Sequence, residues 1–70
     1  MELKNNLRRH RFNHGELTQE ELATALDVSR QTIHSIENGK FYPSVKLALT
    51  MAKFFKVSVE EIFFFEEEKL

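Results

Sequence analysis

Arg30, Gln31, His34 and Ser35 share one side of a short helical pattern, and each side chain is of a kind that can meet a base edge. Glutamine pairs bidentately with adenine and arginine with guanine, while a serine one turn on reaches a base edge or the neighbourhood of a thymine methyl. His34 lies between them, within reach of base or phosphate. The bland alternative is an ordinary solvated helix face, which the face by itself does not exclude. The opposite side carries Ile33 and Ile36, an apolar stripe that must be buried against something, because a helix this short is not stable alone.

The partner for that stripe is the preceding pattern in the run QEELATALDVSRQTIHSIENGK, Gln19 to Lys40. There Leu22, Ala23 and Leu26 fall on one face at helical spacing. The connection is only about three residues, which forces the two helices to cross steeply, and small Ala23 lets them approach closely. Thr18 with Glu21 makes a capping box for the first of the pair, and Ser29 caps the second. Gly39 follows Asn38, where a helix end favours a residue at positive φ. Two packed helices with one polar face left open make a helix-turn-helix with its reading helix, 29–38, exposed.

The run Q-E-E-L-A, then V-S-R-Q-T-I, then I-E-N-G-K, then Y-P-S, resembles the Cro- and repressor-type (xenobiotic-response-element) helix-turn-helix regulators of bacteria and phages. The similarity extends from about Leu3 to Phe63, and the order of the pieces is what makes it specific. Two positions depart from the family pattern: Asp27 stands where the turn usually has Gly, and Lys56 where a helix-ending Gly is common. Aspartate tolerates the left-handed conformation better than most residues, so the departure predicts a modest cost and the same fold. The resemblance implies a lambda-repressor-like domain, all-α with five helices. It implies double-stranded DNA as the partner, and positions commonly touching phosphate at Thr32, Asn38, Lys40 and Tyr42. Ser29 is counted with them. Gln19 joins them on physical grounds, at a helix N-terminus where free N–H groups and the dipole favour an anion.

Composition adds bounds. Seventy residues allow one small domain, with residues 1–65 as the domain and 66–70 as an acidic tail that reads as solvated or disordered. There is no cysteine for a disulfide or thiolate site, so the seven Phe are expected to supply much of the core. No signal peptide and no membrane-spanning apolar run are evident, so a cytoplasmic location is expected. Residues 1–56 carry nine Lys and Arg against six Asp and Glu, whereas 57–70 carry one against five. The body is mildly basic, a weak electrostatic footprint that would not suggest DNA by charge alone.

Along the rest of the chain, Met1 to Lys4 alternates apolar and polar and admits either an extended segment or the start of a helix. A first helix is expected over about Asn5 to Asn13, with Leu7 inward and Gly15 ending it. Phe12 faces away from Leu7, with no evident role inside the chain. Ser44 caps a fourth helix to about Lys56, and Ser58 with Glu61 makes a capping box for a fifth. Three consecutive aromatics, Phe63 to Phe65, cannot all face inward from a short helix. Either the chain becomes a strand there, pairing antiparallel with the N-terminal segment, or rings are buried in a partner. Ile62 and Phe63 are expected to point inward, and the run Ile62, Phe63, Phe64 and Phe65 is also the candidate homodimer interface.

Glu37 lies beside the apolar stripe of the reading helix and Arg11 on the inner stripe of the first. A half-buried acid needs a partner, and a bidentate arginine is the natural one, so a structural pair is expected. Related regulators carry an Arg and a Glu at what look like these places, paired. The rival is a solvated arginine facing DNA. His10 and His14, at i, i+4, have a spacing that can hold zinc, but further ligands are lacking and packing is the better reading. No catalytic constellation, cofactor motif or small-molecule substrate site is evident. The sequence thus reads as a non-enzymatic transcriptional regulator, a repressor, that binds an inverted-repeat operator as a dimer. The alternative is a helix-turn-helix interaction module such as the DNA-binding partner of a toxin-antitoxin pair.

Overall fold

The computed structural model describes residues 1–66. Strand β1 (Leu3–Asn5) leads into helix α1 (Leu7–Asn13), then α2 (Gln19–Leu26), α3 (Arg30–Glu37) and α4 (Val45–Phe55). A 3-10 turn at Val59–Glu61 precedes strand β2 (Phe63–Phe65). The two strands pair antiparallel, with Leu3 opposite Phe65, Lys4 opposite Phe64 and Asn5 opposite Phe63. Of the acidic tail, 66–70, all but Glu66 lies outside the described residues. Among the described residues, no helix is long and apolar enough to cross a membrane.

The helix starts are made by side chains. Thr18 Oγ1 accepts the Glu21 N–H at 3.0 Å, and the Glu21 carboxylate accepts the Thr18 N–H at 2.9 Å. The Thr18 N–H, and after it the Thr18 hydroxyl, hold the Glu21 carboxyl below the usual glutamate range. Ser29 and Ser44 accept the N–H groups of Thr32 and Leu47, both at 3.1 Å. The ends of α2 and α4 use one device twice. Asp27 (φ 57°) and Lys56 (φ 60°) take the left-handed conformation. The next residues, Val28 and Val57, donate their N–H groups back to Ala23 and Ala52 at 3.0 Å and pack partly against the core. Each valine is followed by a serine that opens the next element, Ser29 or Ser58.

Three expectations need correction. The fifth helix is a single 3-10 turn, because only four residues lie between Ser58 and the β-forming run that β1 captures. The first helix starts at Leu7, since Leu3–Asn5 belong to the sheet. The core is aliphatic: Leu7, Leu22, Ile33, Ile36, Met51 and Ile62 are almost wholly buried, and Phe55 is the one ring that joins them. Phe54 and Phe63 are half-buried, while Phe12, Phe41, Phe64 and Phe65 are exposed. Short branched side chains from several elements can interdigitate in a small interior where large rings cannot.

His10 and His14 pack with Phe54 and Phe55 in an aromatic cluster, ring centroids 5.2–5.7 Å apart. The i, i+4 spacing therefore serves packing. Among the described residues, no three His, Asp or Glu side chains stand together as a metal site would need.

Lys56 has a Cβ where the conformation favours none, so Lys56→Gly should raise stability by up to about 1 kcal/mol. Urea unfolding measures it; a loss of stability would mean that the entropy cost of glycine outweighs the strain.

Candidate nucleic-acid interface

The reading helix α3 is held by its buried side. Ile33 and Ile36 are 0% and 1% exposed, and α2 crosses close above them through Ala23 and Leu26. What remains outside is polar. Arg30, Gln31 and His34 are exposed, and Ser35 and Thr32 half-buried beside them. Gln31, Thr32 and Ser35 line one shallow groove together with Lys40 and Phe41 from the following loop. Tyr42 is exposed in the same loop.

Most of these groups are engaged with each other along the helix. Gln31 Nε2 donates to Ser35 Oγ at 3.4 Å, a long bond. The Ser29 and Thr32 hydroxyls lie 2.8 Å apart, and Asn38 Nδ2 is 3.0 Å from His34 Nε2. The exposed amide and hydroxyl groups thus have weak local partners that an incoming base or phosphate can replace.

Behind the face sits the most buried charge of the domain. Arg11 Nε donates to Glu37 Oε2 at 2.8 Å, and Arg11 Nη2 to Glu37 Oε1 at 3.2 Å. The side chains are only 15% and 6% exposed. Gln19 Nε2 adds a third bond to the same carboxylate at 3.1 Å, and Arg11 Nη1 donates to the Leu17 carbonyl at 2.7 Å. Gln19 therefore spends one amide hydrogen on Glu37; its second amide hydrogen and its backbone N–H at the start of α2 remain for an anion.

A second groove is lined by Arg8, Arg11, Gln19, His34, Glu37 and Asn38. Arg8 was not singled out from the sequence. The available signal was its position three residues before Arg11, a neighbouring place on one helix face. The candidate dimer interface contracts. Ile62 is 0% exposed and Phe63 half-buried against the core, which leaves Phe64 and Phe65 at 39% and 54% exposed. An inward Ile62 follows from its place at the turn into β2, where it closes the core beneath the sheet.

Comparison with known proteins fits this geometry. Residues 9–62 match the family described as Helix-turn-helix. The chain is 54% identical over 67 residues to an uncharacterized HTH-type transcriptional regulator of Methanocaldococcus jannaschii, covering 96% of this chain and all of that one. It is 39% identical over 66 residues to the HTH-type regulator YgzD of Bacillus subtilis, covering 94% and 98%. It is also 45% identical over 51 residues to the HTH-type transcriptional activator BcrR of Enterococcus faecalis, where the match covers 73% of this chain and 25% of BcrR. The chain belongs to the helix-turn-helix family of transcriptional regulators. Its relatives are archaeal as well as bacterial, a wider range than the bacteria and phages that the sequence motifs suggested.

Removing one member of the buried pair strands the other. Glu37→Ala should cost roughly 3 kcal/mol or more. Arg11→Ala should cost a similar amount, and the double mutant far less than the sum. Chemical denaturation of the three variants measures this; small additive losses would make them independent surface residues.

Proposed function

We propose that the protein is a sequence-specific double-stranded DNA-binding regulator that inserts α3 into the major groove. The observation that carries this reading is the division of α3 into a fully buried apolar stripe and an open face of Arg30, Gln31, His34 and Ser35. The first turn of such a helix is the part that approaches base edges, so Arg30 and Gln31 are the principal readers. Lys40, Asn38, Thr32, Ser29 and Tyr42 hold the backbone on one side, and the start of α2 at Gln19 holds it on the other. Arg8 is added to this set, from the groove it shares with Gln19 and Asn38.

The protein acts as a homodimer on an inverted repeat. Support comes from Phe64 and Phe65, exposed rings on a two-stranded sheet that lies outside the helix-turn-helix. Each strand of a two-stranded sheet also has an unpaired edge, a template for a strand of a second copy. A twofold axis there leaves both reading helices free to enter adjacent major grooves, roughly 34 Å apart. Repression by occupancy of a promoter is the mode that requires nothing beyond this domain. The activator BcrR is about four times as long as its matched segment, so its activator role belongs to a protein with much else in it.

Mobility shift of the purified chain on duplexes selected from random sequence tests the reading directly. Gln31→Ala should cost about 1–3 kcal/mol on the selected site and relax one base pair. Lys40→Ala should weaken every duplex alike and lower the salt slope by roughly one. An unchanged site profile for Gln31→Ala would refute the placement of α3. Sedimentation at micromolar concentration should give twice the 8.3 kDa chain mass, reduced to the monomer by Phe64→Ser. A monomer that Phe64→Ser leaves unchanged would sink the preformed dimer.

A further inference from the structure

We infer that Asn5 is a positioning residue for base readout, tying the carboxyl end of α3 to the two-stranded sheet. The inference rests on α3 being the reading helix. Asn5 is the last residue of β1, half-buried opposite Phe63. Its Nδ2 donates to the Ile36 carbonyl at 2.9 Å, across 31 residues of sequence. Its Oδ1 accepts the Leu7 N–H at 3.1 Å, at the start of α1. One amide therefore joins β1, α1 and α3, and its two ends do different work.

The need for such a tie follows from how α3 is otherwise held. The apolar stripe of Ile33 and Ile36 resists separation from the core, but burial is non-directional. It restrains small rotations about the helix axis less sharply than a bond with a fixed direction does. Base contacts do not tolerate them, since a hydrogen bond weakens steeply as its angle closes. Directional restraints on α3 come at consecutive residues and from different elements. Arg11 and Gln19 hold the Glu37 side chain from α1 and α2, and Asn5 holds the Ile36 carbonyl from the sheet. That carbonyl is in the last turn, where helices lack internal donors, and it also accepts the Gly39 N–H at 3.0 Å. With both lone pairs occupied, the rotation of α3 is set from two sides.

The two ends of the amide can be separated. Asn5→Asp keeps an oxygen for the Leu7 N–H, and a carboxylate near a helix start is favourable. It removes the donor to Ile36. Affinity should be measured for the selected duplex and for a random duplex at one salt concentration, with the folded fraction followed by circular dichroism. A role in stability alone lowers both affinities by the same factor, and so does added negative charge near DNA. A positioning role lowers the ratio of selected to random affinity, by about tenfold, roughly the discrimination carried by one good base contact. An unchanged ratio in folded Asn5→Asp overturns the inference. If Asn5→Asp does not fold, Asn5→Ser replaces it: its hydroxyl can support the turn into α1 but is too short to reach Ile36. Loss of folding in both would assign Asn5 to the fold alone and overturn the inference as well. A wild-type chain that binds selected and random duplexes equally would instead refute the reading of α3 as a sequence reader.

Discussion

The carboxylate of Glu37 is the point on which the helical part of this domain depends. Donors from α1 and α2 converge on it, and the same arginine holds the carbonyl of Leu17 in the connection between them. Three helices are thereby fixed through one acidic group on the reading helix. Bringing an ion pair out of water costs about as much as its attraction returns, so an apolar replacement of matching shape could be equally stable. What an apolar cluster could not supply is direction. Greasy contacts permit sliding, whereas five donor–acceptor distances between 2.7 and 3.2 Å, counting Asn5 to Ile36, do not. A protein whose task is to present side chains in register with base edges has a use for that constraint.

Such rigidity is set against a small core. A chain of this size buries only roughly 60% of its unfolded surface, so each local cost counts. Among the described residues, three that are not glycine, Glu16, Asp27 and Lys56, hold positive φ. At Asp27 and Lys56 the strain is offset by what the conformation achieves. The next N–H reaches back to the helix, a valine turns into the core, and a serine stands ready to open the next element. The steep crossing of α2 and α3 depends on that sharp reversal at Asp27.

Much of this was legible because the signals are local. Thr18 with Glu21, Ser29 and Ser44 mark helix starts by hydrogen bonds within three residues, and the stripe of Ile33 and Ile36 marks the inner side of α3. The fifth helix misled for the converse reason. Val57-Ser58 repeats Val28-Ser29, and Glu61 reaches back to the Ser58 N–H at 3.2 Å as a helix start should. What stops the helix is β1, distant in sequence, which offers Phe63–Phe65 a pairing that local patterns do not record. The phenylalanines misled through number: composition counts rings but cannot say that most would find no room inside. Asn5 gave no signal at all, since the local pattern counts it as the first residue of a helix and cannot show that it ends a strand.

The pairing of Leu3 with Phe65 spans nearly the whole described chain, as does the bond from the Asn6 N–H to the Ile62 carbonyl at 3.0 Å. Contacts this far apart in sequence close the largest loop among the described residues, and that closure carries the greatest entropy cost. On the ribosome they cannot form until residue 65 has emerged, although α2 and α3 have been free to pack well before. A chain that stops short of residue 63 would keep the donors to Glu37 from α1 and α2 and lack only the sheet that seats Asn5. The last of the ties on α3 to be seated would then be the one from Asn5, which waits on the pairing of β1 with β2.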